Sequence, residues 1–271
     1  MAHSFAAPFR IEPGRHAHLD RRNPADISAF PERKAAEKQS AKDAAIIDEY
    51  QDRLYAERRR ALLVVLQGVD TAGKDGTIRH VFSHTGPLGV VVTAFGRPSK
   101  EELAHDFLWR AHLACPRRGF IGIFNRSHYE DVLAARVRKL APEAEIEARY
   151  GQINAFEKTL FENGTTILKF MLHISKKEQG KRLQERLDDP RKQWKFDPAD
   201  LEDRKLWDEY QTAYELVLYK CTSTWAPWHV IPADHKWARN AAIAAIVRNT
   251  LEAMDPRYPK PPWSPDDFSL K

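Results

Sequence analysis

The chain has 271 residues, 42% of them hydrophobic and 30% charged, with Lys+Arg at 43 against Asp+Glu at 38. That length and apolar content exclude a wholly disordered or fibrous protein and allow one large or two small domains around a real core. The net charge of +5 suits a polyanionic partner without saying which one. Two cysteines, Cys115 and Cys221, are too few for a disulfide framework or a cysteine zinc site and point to a reducing compartment.

Residues 1–40 carry Pro8, Pro13, Pro24 and Pro31 with no sustained apolar period, so they are expected to form an N-terminal arm outside the core. MAHSFAAPFR lacks the continuous apolar stretch of a secretory leader, and no apolar run approaches the roughly 20 residues of a membrane span. The chain is therefore expected to be soluble, cytoplasmic and without a membrane partner. Apolar spacing over 41–60 predicts a helix. The run ALLVVLQ at 61–67 then reads as a strand buried on both faces.

Further strands are predicted at 90–95, 120–124, 165–172 and 228–231, with helical material between them, which implies five parallel strands between helical layers. Helix starts are marked by Ser99 with Glu102, Ser127 with Glu130 and Ser175 with Glu178, each fitting a capping box. One helix should run from about 100 to Cys115, ahead of Pro116, and the last from about 235 to 254. Residues 41–255 thus form the predicted domain, and 256–271, with five prolines in PRYPKPPWSPDDF, an extended tail.

The segment Gly68-Val-Asp-Thr-Ala-Gly-Lys74 follows the first strand and precedes a predicted helix at 78–83, the context a phosphate-binding loop requires. Backbone N–H groups over Gly68, Thr71, Ala72, Gly73, Lys74, Asp75, Gly76 and Thr77 are expected to cradle phosphate, with the Lys74 ammonium reaching its terminal oxygens. Asp75 stands where Ser or Thr usually holds Mg²⁺, and Asp70 lies inside the loop. Two carboxylates beside a phosphate cradle make sense with divalent cations, which implies Mg²⁺, with Mn²⁺ as a substitute, and Asp70 as its main protein ligand. Asp75 reads equally as a first-turn carboxylate suited to the helix dipole.

FIGIFNRSHYED at 120–131 delivers Asn125 and Arg126 to the carboxyl end of the third strand. In nucleoside kinases with this loop an acid occupies the first of these positions and takes a proton from the acceptor hydroxyl. Asn125 cannot do so, which favours an acceptor that is already an anionic phosphate. Arg126 is expected to stabilise charge on the transferring phosphoryl group. Glu130 reads either as a helix cap or as a metal-contacting carboxylate, and Asp131 as a solvated first-turn acid.

Nine basic residues between Arg97 and Lys139 against five acids offer a track for a polyanion, with Arg110, Arg117 and Arg118 its best members. Lys100, Arg136, Arg138 and Lys139 read equally as a solvated face. The stretch Lys176–Lys195, with Lys181, Arg182 and Arg186, sits where P-loop kinases insert an Arg-bearing lid, so residues 175–200 are either that lid, with phosphate clamps, or a plain charged helix. The alternatives at this level are an ATP-dependent nucleoside or nucleotide kinase and a nucleic-acid-binding protein. No recognition motif supports the latter.

Taken together, GVDTAGKDGTI, FGRPSKEELAHDFLWRAH, GFIGIFNRSHYEDVL, HISKKEQGKRLQERL and APWHVIPADHKWARN resemble polyphosphate kinase family 2, in the same order, over about residues 45–250. The resemblance implies a thymidylate-kinase-like P-loop fold and reversible Mg²⁺-dependent phosphoryl transfer between inorganic polyphosphate and a nucleotide. It carries over Asp70 and Lys74 as essential loop residues, Asn125 and Arg126 as the second motif, and Arg182 and Arg186 as lid residues. NRSHYED is similar to the subgroup accepting AMP as well as ADP, with adenine nucleotides first and guanine nucleotides second. A homo-oligomer and no nucleic-acid partner are also expected.

Overall fold

The structure, a computed structural model, describes residues 8–269. Ala61–Gln67 forms β1, every residue of which is buried, as an uninterrupted apolar run demands of a strand covered on both faces. It pairs in parallel with β3 (Ile121–Asn125) on one side and β4 (Thr165–His173) on the other. Outside these lie β2 (Val90–Ala94) and β5 (Trp228–Pro232), giving the order β2-β3-β1-β4-β5 with every neighbour parallel.

Alternation along β1 divides the core in two. Leu62, Val64 and Leu66 pack with Ile47 and Leu54 of α1 (Arg33–Glu57), Val81 of α2 (Lys74–Val81) and Ile243 and Val247 of α10 (Lys236–Met254). Leu63 and Val65 face the opposite layer. There α4 (Trp109–Ala114), α5 (Ala134–Val137), α6 (Glu143–Glu162) and α9 (Trp207–Lys220) contribute Ala111, Ala135, Ile153 and Val217. Each such Leu, Ile or Val contributes about 1.5–3 kcal/mol on burial.

The chain leaves β1 for the edge strand β2, returns to β3 beside β1, and then crosses to β4 on β1's other side. The switch of direction between β1 and β3 opens a crevice outside their carboxyl ends, where doubly wound sheets bind ligands. The phosphate loop and the Asn125-Arg126 pair emerge at those two ends.

Several boundaries differ from the expectations above. The helix predicted from 41 begins at Arg33, and the one predicted from 78 begins at Lys74. The helix expected over 100–115 is two short ones, α3 (Lys100–Leu103) and α4, because the Asp106 carboxylate accepts from Leu108 N (2.9 Å) and offers the backbone a turn instead. Of the expected capping boxes only that of Ser99 with Glu102 is reciprocal. Ser175 caps α7 (Lys176–Asp188) through Glu178 N, but Ser127 accepts from Tyr129 N, which leaves the Glu130 side chain for another task.

The described part of residues 1–40 is not external to the core. Phe9, Ile11, Ala17 and Leu19 are buried, and Ile11 N donates to Trp228 O (2.9 Å) while Val230 N donates to Phe9 O (2.8 Å), covering the outer edge of β5. Single apolar residues spaced by prolines leave no periodic signal, although each finds a place in the core. Beyond α10 the chain is extended apart from a 3-10 turn at Pro265–Asp267, with Tyr258 donating to Asp52 on α1 (2.6 Å). Among the described residues no helix is long and apolar enough to cross a membrane.

Candidate active site

The phosphate loop is held in shape by backbone conformations that few residues adopt. Gly73 has φ 108°, and Thr71, a β-branched residue, has φ 63°. Such strain costs roughly 1–3 kcal/mol per residue and persists where the surroundings impose it. Here the surroundings are two arginines. Arg182 donates from Nη1 to the carbonyls of Thr71 (3.0 Å) and Ala72 (3.2 Å), and Arg239 from Nη1 to Ala72 O (2.9 Å).

Lys74 opens α2 with its ammonium folded back to Gly68 O (2.7 Å). Burial, reinforced by the neighbouring Arg126, pushes that ammonium down to about 8, so an arriving phosphate restores a charge the protein alone supports poorly. The Thr71 hydroxyl is buried without a partner among the described residues. Ala72 and Thr77 turn their side chains into the interior and offer a ligand only backbone.

At the end of β3, Arg126 also has a positive φ (61°) and forms an ion pair with Asp70 across the loop. Burial alone would raise the Asp70 carboxyl, but Arg126 and Lys74 outweigh it and hold it below the usual range. Asn125 Nδ2 donates to Asp75 (2.7 Å), and Lys195 Nζ lies 3.7 Å from the same carboxylate. The two unusual residues of this site therefore belong together, since an acid at 125 would face Asp75 as a like charge whereas an amide donates to it. Glu130 turns into the site, where Gln67 Nε2 donates to it (3.1 Å), and burial raises its carboxyl despite Arg126 and Lys74.

Behind this loop lies a closed polar network. The Lys169 ammonium of β4 is fully buried and donates to Glu157 (2.6 Å), Tyr129 OH (2.8 Å) and Cys221 O (2.7 Å), while Tyr129 OH donates to Glu157 (2.7 Å). Tyr129 stands between Arg126 and Glu130, so the network fixes the turn that aims both.

Asp200, on α8 (Ala199–Lys205), completes the site. It hydrogen-bonds Asp70, and Arg186 Nη1 donates to its Oδ2 (3.2 Å). Burial and the adjacent Asp70 push the Asp200 carboxyl up to about 6, so the folded protein retains a proton that the unfolded chain releases near 3.8, and stability falls as pH rises through that interval. Asp200→Asn is accordingly expected to raise the thermal midpoint at pH 7.5 in the absence of divalent cations and to change it much less at pH 4.5. Melting curves of both proteins at the two pH values test this, and an equal effect at both would be the wrong outcome for it.

The stretch expected as a lid or a charged helix folds as α7, a 3-10 turn at Gln193–Lys195 and α8, and its cations divide. Arg186 lies beside Asp200 and within electrostatic reach of Asp75. Arg182 is buried, with its donors spent on Glu178 and the carbonyls of residues 71, 72, 233 and 234, so it holds the loop and does not clamp phosphate here. Lys181 is 67% exposed and pairs with Glu178 and Glu185 on the outer side of α7.

Arg117 and Arg118 also depart from expectation. They are exposed at the amino end of β3, where Arg117 stacks on Phe120, opposite the site. Because α4 precedes β3 and runs back along it, its start rather than its end faces the crevice. Arg110, near that start, is buried with Nη1 donating to Gly96 O (3.0 Å) and Nη2 to Asp131 (3.5 Å). Asp131 is thus a half-buried ion-pair partner and not a solvated acid. Arg138, expected as surface or track, pairs with Asp203 of α8 (2.7 Å), and Tyr210 OH donates to the same carboxylate (3.0 Å).

The crevice has a volume of about 620 Å³. Its lining combines charged side chains, among them Asp70, Arg126, Glu130 and Asp200, with the apolar Phe95, Leu103, Leu133 and Leu140. Among the described residues no three His, Cys, Asp or Glu converge as a cation cage. Asp70 with Asp200 does fit a Mg²⁺ shared among one or two carboxylates, water and substrate phosphate. Sequence reasoning does not single out Asp200 or Arg239, nor Arg149 and Tyr214, which line the crevice. Arg239 lies in the block APWHVIPADHKWARN, and Asp200 in the acid-rich first turn after Pro198, the only local signals of either.

A sequence profile described as polyphosphate kinase 2 matches residues 31–259. The chain is 50% identical over 258 residues to the AMP/ADP-polyphosphate phosphotransferase of Meiothermus ruber, covering 93% of this chain and 95% of that protein. It is 44% identical over 226 residues to the ADP-polyphosphate phosphotransferase of Rhodopseudomonas palustris, covering 79% and 78%. The crystal structure of polyphosphate kinase 2 from Arthrobacter aurescens superposes with a TM-score of 0.93 over 98% of this chain and 95% of that one, at 41% identity.

Proposed function

The chain belongs to the polyphosphate kinase 2 family, and from that premise we propose that it reversibly transfers the terminal phosphoryl group of inorganic polyphosphate to ADP, giving ATP, and to AMP, giving ADP. The observation that carries this reading is the juxtaposition of the phosphate loop with Arg126 and with an acceptor crevice whose position 125 holds no general base. A phosphate acceptor is already ionised and needs none.

The polyphosphate end lies on the loop against the Lys74 ammonium, and the nucleotide occupies the crevice with its base toward Phe95 and Leu133 and its phosphate toward Arg126. The acceptor oxygen attacks the terminal phosphorus in line, and the shortened polyphosphate leaves. Lys74 and Arg126 stabilise the charge spread over the transferring group, and fixed positioning supplies most of the rate. Asp70 and Asp200 would hold Mg²⁺, with Mn²⁺ as a substitute; when bound, the ion neutralises phosphate charge and orients the donor.

Asp70→Asn is expected to raise the Mg²⁺ concentration for half-maximal rate by roughly tenfold, since one carboxylate bond to the ion is weakened. A Mg²⁺ titration at fixed polyphosphate tests this, and an unshifted midpoint would remove Asp70 from the metal site.

The proposal extends to guanine nucleotides as second-choice acceptors, supported by Phe95 and Leu133 in the crevice lining, apolar side chains that do not discriminate purines. It includes a cytoplasmic location, where nucleotides are held and where the free thiols of Cys115 and Cys221 persist. A homo-oligomer is also part of it, supported by the exposed Val91 and Val92 on the edge strand β2, and sedimentation tests that element.

The deciding experiment incubates purified protein with Mg²⁺ and long-chain polyphosphate and resolves the products from ADP and AMP supplied separately. ATP from ADP, and ADP followed by ATP from AMP, is the expected result. Phosphorylation of a nucleoside by ATP, with neither nucleotide reacting, would overturn the proposal.

A further inference from the structure

Arg239 stands in the first turn of α10 with its side chain 2% exposed, pressed against the outer side of the phosphate loop. Nη1 donates to Ala72 O (2.9 Å), while Nε (3.1 Å) and Nη2 (2.8 Å) both donate to the Asn240 side-chain oxygen. A Cβ placed on Gly73 would lie 1.8 Å from Nη1, so the guanidinium touches loop backbone at a position only glycine leaves open.

What the site lacks is a carboxylate. Among the described residues Arg239 has no acidic partner, and its charged neighbour is a second arginine, Arg182. Burial and that neighbour push the guanidinium down to about 9. An uncompensated buried cation is costly for a fold, and removing it ought to help unless some other anion completes the charge.

The loop geometry indicates where that anion sits. The trans peptide between Ala72 and Gly73 points its carbonyl at Arg239 and Arg182, so the Gly73 N–H points the opposite way, into the cradle. A cation bonded to the carbonyl polarises the peptide and strengthens its N–H as a donor.

We propose that Arg239 is a positioning residue for the phosphate ligand, its charge left without a carboxylate so that the bound polyphosphate end, on the far side of the Ala72–Gly73 peptide, is its counter-ion. The proposal rests on the reading of the loop as a phosphate site. It also separates the arginine's effect on binding from its effect on the fold, which have opposite signs.

The test is calorimetric binding of inorganic tripolyphosphate at constant ionic strength to the full-length wild type, Arg239→Gln, Arg239→Met and Lys158→Gln, with thermal midpoints of each alone and with ligand. Lys158 is 55% exposed on α6 and controls for loss of one positive charge. Arg239→Gln is expected to bind roughly tenfold more weakly, as for loss of a charge-assisted contact, with a ligand-free midpoint equal to or above that of the wild type and a smaller upshift on adding tripolyphosphate. Arg239→Met should bind as weakly as Arg239→Gln whatever its own midpoint, Lys158→Gln should match the wild type, and in turnover KM for polyphosphate should rise more than kcat falls. Unchanged tripolyphosphate affinity in Arg239→Gln, or weakened affinity only in variants whose ligand-free midpoint also falls, would overturn the proposal. Failure of the wild type to bind tripolyphosphate would instead remove the phosphate reading of the loop, on which it stands.

Discussion

Replacing Lys74 with alanine is expected to lower phosphoryl transfer at saturating substrates by about 10²–10³-fold or more, the loss that follows removal of a preorganised charge from a transition state. The ammonium donates to Gly68 O at 2.7 Å and is buried beside Arg126, Asp70 and Glu130. With a donor phosphate in place the same group exchanges a carbonyl for phosphoryl oxygens, where negative charge is dispersed during transfer. The protein gains little stability from this cation, since burial and Arg126 both oppose it. Lys74→Ala should therefore melt within a few degrees of the wild type while turnover collapses. Initial rates of ATP formation from ADP and polyphosphate, beside a thermal melt, check both halves. Turnover within tenfold of the wild type in a folded variant would displace Lys74 from its assigned role.

Lys169→Met is expected to produce the largest loss of stability, about 3–5 kcal/mol, because it strands Glu157 in the interior without its cation. Glu157 is 1% exposed and its carboxylate lies 2.6 Å from the Lys169 ammonium. Burial alone would raise the Glu157 carboxyl, but Lys169 and His128 outweigh it and hold it below its ordinary value of 4.5. A depressed carboxyl contributes stability that is present above its unfolded pKa and lost as pH falls through the folded one. Acid destabilisation near and below pH 4.5 should accordingly be less steep in the variant.

For a domain of this size the expected fall in melting temperature is on the order of 10 °C. Replacing Lys169, Glu157 and Tyr129 together by Met, Met and Phe should recover part of it, since the stranded carboxylate and hydroxyl are removed and only the Cys221 carbonyl and His128 lose a partner. Denaturant titrations of the single, double and triple variants measure the coupling. A single variant within about 1 kcal/mol of the wild type would show that the pair carries no weight.

The phosphate loop and Asn125 and Arg126 were legible from residues alone because each is a short contiguous motif at the end of an apolar run, and strand, loop and helix are all local signals. The five strands were legible for the same reason. Arg182 shows the limit of this reasoning. Its place after the fourth strand suggested a lid clamp, yet the α7 cap at Ser175 turns it inward to loop carbonyls. Arg117 and Arg118 join the track on the strength of flanking the end of a helix that points towards the third strand, a reading that ignores the antiparallel return of α4 along β3.

By itself, the amino-acid sequence determined the sheet, the phosphate loop and the family, because hydrophobic period and motif spacing act over a few residues. Only the tertiary structure decided the partners of that loop. Ala72 meets Arg239 from 167 positions away, Asp70 meets Asp200 from another layer of the fold, and Lys169 meets Glu157 across a sheet–helix interface. These contacts leave no periodic trace. Each is a single polar residue whose role depends on which charges the folded chain brings beside it once water has been excluded.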